Sequence, residues 1–286
     1  MKTFACLGLL ALLALPGRAD VNGSFNGGDI TLYGGKQYID FGPDGTQTLR
    51  LLPGTRPAEI VSKTDGLTLT ATTELRVVLK QNQKTKRQEL VRASAKGNVR
   101  VTLRDSKSTT VVTAPTITFE AGTDADTLRA TGAVKIDSND EVGKRTLDLS
   151  GTDGVVSLRP VRDRKAGDRI RTATLESPVR IAVDQAKTTT DAAGKYVVTG
   201  DKLRLDALTS PRTATVTGNV KIVSTGVEQG GTIDGVRTLI LSLNAENKLT
   251  AIEASGEPVT STYVPRNRSK SGSPPFGGPG GKSRPQ

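Results

Sequence analysis

Histidine and tryptophan are absent from this 286-residue chain, and cysteine and methionine occur once each. Without His there is no Ser-His-Asp or Cys-His catalysis, no zinc site of the usual imidazole kind and no His-based pH switch. The one cysteine, Cys6, lies in an N-terminal leader, so the rest of the chain holds neither a thiol nor a disulfide. Aromatics make up 3%, too few for a platform on which nucleic-acid bases stack. No cofactor motif is present. Acidic residues number 29, scattered over turn clusters with no pair that stands out as a glycan-cleaving dyad, and the chain is read as a non-enzyme. What is abundant is Thr (38) and Val (25), together about a fifth of the chain. Such β-branched enrichment favours strands. With only 35% hydrophobic residues, the expected core is thin, built of small side chains and spread along an elongated object.

The two ends differ from the middle. Residues 1–19 carry Lys2, an apolar run from Phe4 to Leu15, then Pro16-Gly17 and the small residues Gly17 and Ala19. This is the pattern of a secretory signal peptide cleaved after Ala19, and it is too short for a membrane span. Export to the periplasm follows as an expectation. Residues 265–286 are rich in Gly, Pro and Ser, carry Arg266, Arg268, Lys270, Lys282 and Arg284 and hold no acid. Such a segment cannot bury a core and reads as a disordered basic tail, either merely solvated or a tether to anionic lipid or cell wall. Leader and tail carry +2 and +5 of the formal +11, which leaves the body only mildly basic.

The middle repeats. Ala95 to Val101, Ala130 to Ile136 and Val216 to Ile222 share a phrase with a central Gly. Leu175 to Ile181 keeps it with Ser177 in that place, and Ala254 to Val259 is a degraded copy. The spacing is irregular, near 40 residues, as for a constant strand unit with variable loops. Each copy alternates with period two: Ala93, Ala95, Gly97, Val99, Val101 and Leu103 share one face, and Arg92, Ser94, Lys96, Asn98, Arg100 and Thr102 the other. That predicts long strands with one face buried, bent at the central Gly. A shorter strand is expected upstream of each: 67–71, 116–119, 146–149, 202–205 and 238–243. Turn clusters at 122–126 and 244–248 join the pairs into about five hairpin units.

These phrases resemble the organic-solvent-tolerance-like family, whose recurring pattern Asp201 to Asp206 followed by Ala214 to Ile222 matches, as do Leu128 to Ile136 and Lys248 to Gly256. The resemblance covers about residues 66–264 and leaves 20–65 as N-terminal strands or a cap. The chain is longer than the family's bridge protein usually is, and its turns are richer in Thr and Lys. The resemblance implies an all-β, elongated, open β-jellyroll: a V-shaped two-sheet sandwich around an apolar groove. It also implies a lipopolysaccharide or glycolipid ligand and like jellyroll domains as partners through edge-strand pairing, with membrane contact only through those partners. Candidate groove residues are Val99, Val101, Ile117, Phe119, Val134, Ile136, Val179, Ile181, Val220 and Ile222. The rival reading is a structural or adhesive exported β-repeat protein whose closed core takes no lipid. Three lesser features stand beside these. Asp124/Asp126 and Asp137/Asp140/Glu141 read as turn-shaping acids rather than calcium ligands. The basic run 80–87 reads as an exposed loop. Tyr33, Tyr38 and Phe41 read as an end cap or a docking patch.

Overall fold

The computed structural model describes residues 30–62, 67–81, 88–104, 108–141, 144–159, 170–186, 193–226, 229–243, 249–256 and 260–265. The leader, the tail beyond Pro265, the basic residues 82–87 and the turn cluster 244–248 lie outside them. The described residues form an all-β protein. Its strands are β1 (Ile30–Tyr33), β2 (Lys36–Phe41), β3 (Thr46–Leu52), β4 (Ala58–Ser62), β5 (Leu67–Ala71), β6 (Glu74–Gln81), β7 (Gln88–Arg104) and β8 (Ser108–Glu120). They continue with β9 (Asp126–Asp140), β10 (Arg145–Leu158), β11 (Ile170–Gln185), β12 (Gly194–Asp206), β13 (Arg212–Gly226), β14 (Gln229–Leu243), β15 (Leu249–Ser255) and β16 (Thr260–Pro265). All pairings are antiparallel and all strands belong to one sheet.

A line of irregularities divides that sheet. The β7–β8 register shifts between Lys96 and Val99, and the β8–β9 register between Thr113 and Thr116. The β11–β12 shift falls between Glu176 and Val179, the β12–β13 shift between Thr199 and Lys202, and β13–β14 shifts from Thr217 to Val220. Bulges stacked across neighbouring strands let a sheet turn a corner. The ends of the sheet fork at the same line. The first half of β7 pairs with β6 and its second half with β5. At the far end, β14 pairs with β15 through Thr238–Leu243 and with β16 through Gln229–Asp234. The sheet thus has two wings. The first runs β2-β3-β6, then halves of β7 to β14, then β15; the second runs β1-β4-β5, then the other halves, then β16.

The expected bends at the central glycines are present. Gly97, Gly132 and Gly218 have φ of 79°, 84° and 74°, and Asn98 and Asn219, just after two of them, are also left-handed. The expected short strands differ. Only 67–71 stands alone; the others are halves of β8, β10, β12 and β14, each crossing the bulge line like its neighbour. Residues 30–62 are likewise no separate unit, because β1 and β4 extend one wing and β2 and β3 the other.

One apolar cluster joins both wings, from Leu49 and Leu51 through Val101, Phe119, Leu128 and Leu149 to Val216 and Leu239. Its polar members are satisfied. The Thr110 and Ser138 hydroxyls meet at 3.0 Å, and buried Asp126 accepts the Gly122 N–H at 3.2 Å, which fixes the 122–126 turn as expected.

The candidate apolar groove

Register builds two apolar ladders, one on the inner face of each wing. In the first wing the cross-strand row reads Ile39, Leu49, Val77, Ala93, Phe119, Leu128, Val156, Ala173, Leu205, Ala214, Leu241 and Ile252. Every strand of the wing contributes one apolar side chain. In the second wing the row reads Leu32, Ile60, Leu69, Val101, Val112, Ile136, Leu149, Ile181, Val198, Ile222 and Ile233, ending at Ser261. At the usual interstrand spacing each ladder is about 50 Å long.

All ten candidate residues lie on these inner faces. Val99, Val101, Ile117, Phe119, Val134, Ile136, Val179 and Val220 are buried, while Ile181 and Ile222 are half-buried. Burial changes along the ladders. Over β8–β10 both ladders are buried, whereas Ile60, Leu69, Val77 and Ala93 before them are half-buried, and a cavity of about 40 Å³ lies between Ile60 and Leu69 of one wing and Leu75, Ile117 and Leu128 of the other. From β11 onward the row beside the bulge line stays buried (Leu175, Val179, Leu203, Val216, Val220, Leu239); in the next row out Val198 is buried as well, but its neighbours are not. Ala173, Ile181, Leu205, Ala214, Ile222, Ile233 and Leu241 are half-buried there, and Ile252 is 50% exposed. The inner space is therefore sealed over β8–β10, and toward both ends of the sheet its outer row is mostly half-buried or exposed, forming lips over β11–β15. Its floor is apolar, and its lips carry no charge among the described residues of those ladders.

Leu205, Ile233, Leu241 and Ile252 belong to these lips but not to the sequence-derived candidates. The run Leu239-Ile240-Leu241 hides which residues face inward, because Ile240 is apolar on the outer face opposite Glu253. Only the register resolves it.

The bulge line itself demands small residues. A Cβ on Gly200 would lie 2.5 Å from Val216 Cγ1, and one on Gly151 2.6 Å from Leu175 Cγ. These glycines let neighbouring side chains fill the apex between the wings. Outside the bend, Asp201 accepts from Asn219 Nδ2 at 2.9 Å, and Asp153 accepts the Gly132 N–H at 2.8 Å.

Both ends of the first wing are edge strands with exposed apolar side chains. On β2, Ile39 is 47% and Phe41 72% exposed; on β15 it is Ile252. Among the described residues β2 pairs only with β3, and β15 only with β14. Tyr38 lies on the outer face under the Arg50 guanidinium, 5.9 Å from the ring centre, and Tyr33 lies 4.0 Å under Arg56. The acids at 137–141 serve the surface: Asp137 pairs with Lys135 at 2.9 Å. Among the described residues, no group of three or more His, Cys, Asp or Glu side chains is gathered that could hold a metal ion. Comparison with family models, with curated proteins and with solved structures finds no match to this chain.

Proposed function

We propose that this chain is an exported, non-enzymatic carrier that takes the acyl chains of lipopolysaccharide or a related glycolipid between its wings. In this reading it works in the periplasm as an open β-jellyroll of the organic-solvent-tolerance-like kind. The observation that carries the proposal is the incomplete burial of the two apolar ladders over β11–β15, where most of their outer-row side chains are half-buried. An acyl chain laid along Ile181, Ile222, Ile233, Leu205 and Leu241 completes their burial, at roughly 0.8 kcal/mol per methylene removed from water. Nothing in such binding requires a nucleophile or a metal. The apolar edge strands β2 and β15 support the second half of the reading, in which like domains add strand to strand and continue the ladders from one to the next.

Native mass spectrometry of protein purified from a lipopolysaccharide-bearing host tests this. Lipid A-containing species are expected to co-purify and to be lost in Ile222→Asp, with the circular dichroism of the wild type retained. Ile222 is chosen because it is half-buried; Asp at the fully buried Val220 beneath it would cost the fold instead. Lipid-free protein that takes up no added lipopolysaccharide overturns the proposal. It would establish the second reading, a structural β-repeat protein, which the tight packing of eight of the ten candidate residues favours.

A further inference from the structure

The outer face of the first wing carries a second kind of site, on the side of the sheet away from the ladders. Arg76, Ser94, Thr118 and Arg129 are successive members of one cross-strand row on β6, β7, β8 and β9. The adjacent row holds Arg92, Glu120 and Thr127. Arg92, Ser94, Thr118, Glu120, Thr127 and Arg129, with Ala93 and Phe119 between them, line a depression of about 270 Å³, and Arg76 stands one strand outside that lining. Several cations among the described residues are ion-paired. Arg50 pairs with Glu74 at 2.7 Å, Lys202 with Glu176 at 2.6 Å, Lys221 with Asp234 at 3.0 Å. Arg76 and Arg129 are exposed and have no ion pair or hydrogen-bond partner among the described residues. The one acid in the depression, Glu120, is bound by Arg92 at 2.9 Å, so its charge is cancelled within the site.

We propose that this depression binds a phosphoryl group, with Arg129 of its lining on one side, Arg76 reaching over its rim from the next strand on the other, and the Ser94 and Thr118 hydroxyls beneath it. Three strand spacings, about 14 Å, separate the two arginine backbones. Two extended side chains reaching inward across that gap leave room for one tetrahedral oxyanion. The planar guanidinium fork matches two phosphate oxygens at once, which an ammonium cannot do, and the hydroxyls donate to the remaining oxygens. The phosphoryl group has two sources with the same chemistry, free phosphate and a phosphorylated sugar. The site is independent of the lipid reading, since the groups proposed to hold the phosphoryl group, Arg76, Ser94, Thr118 and Arg129, all stand on the outer face.

Isothermal titration of the full chain at low salt, where the Debye length is long, decides the matter. The probes are inorganic phosphate, glucosamine 1-phosphate and uncharged glucosamine. Both phosphates are expected to bind and glucosamine not. The Arg76→Gln/Arg129→Gln double variant is expected to lose at least tenfold in affinity, about 1.4 kcal/mol. Arg204→Gln, on the same outer row three strands beyond Arg129, is expected to change nothing. Tighter binding of the sugar phosphate identifies a saccharide-borne group as the ligand, and tighter binding of inorganic phosphate the free anion. Wild-type protein that binds neither phosphate overturns the site. So does a double variant that binds as well as wild type, or an equal loss in Arg204→Gln, which would mean diffuse attraction by surface charge.

Discussion

Gly218 has a φ of 74°, and a Cβ there would run into the Asp201 carboxylate. A side chain therefore meets both the left-handed penalty, about 1–2 kcal/mol, and a steric one. Gly218→Ala is expected to lose at least the first amount in urea denaturation; an unchanged midpoint would show that the bend tolerates a right-handed backbone. A second residue-scale effect is electrostatic. The Lys221 ammonium donates to Asp234, and the Gly235 N–H donates to the same carboxylate, which together hold its pKa below the usual aspartate range. The folded state then binds fewer protons than the unfolded one as pH falls through that range. The contribution is complete at neutral pH and is lost as the solution becomes acid enough to protonate the folded carboxylate. Because both groups are exposed, the effect is small. Asp234→Asn should flatten the acid limb of the stability–pH curve by slightly lowering its neutral plateau, with the acid end unmoved. Steepening of that limb would reverse the sign.

At the scale of the element, odd and even strands cross the bulge line differently. In β7, β9, β11 and β13 the inward positions keep period two across the bend: Ala95, Gly97 and Val99, or Val216, Gly218 and Val220. In β8, β10 and β12 they slip by one, from Ala114 to Ile117, Gly151 to Gly154 and Gly200 to Leu203. An antiparallel pair with one extra residue on one partner must show this asymmetry. Period-two reading therefore recovers the odd strands whole and cuts the even ones short. The same ladder position also differs in worth along the sheet. Leu128 is 1% exposed between Phe119 and Val156, whereas Ile252 stands at the open lip. Leu128→Ala is expected to cost about 2–5 kcal/mol and Ile252→Ala well under 1 kcal/mol. Comparable losses in chemical denaturation would mean that the lips close in solution.

For the whole molecule, the ladders join local strands into one body whose protection is graded. Amide exchange should be slowest in β7–β10, where both wings pack, and fastest at β2 and β15, with β11–β14 between. Added lipopolysaccharide should slow exchange over β11–β14 and leave β7–β10 unchanged. Uniform exchange along the ladders would remove the distinction between a closed part and an open mouth.

Composition and alternation determine that this chain is all-β, that its strands bend at Gly97, Gly132 and Gly218, and that the ten candidate residues face inward. Those are local properties: β-branched propensity, period two and the backbone freedom of glycine act within a few residues. The tertiary structure alone decided which inward residues are sealed and which line an open lip. That depends on cross-strand register and on contacts between residues far apart in the chain. The same holds on the outer face. Arg76 and Arg129 are 53 positions apart in sequence and join one row only because β6, β7, β8 and β9 pair in this order.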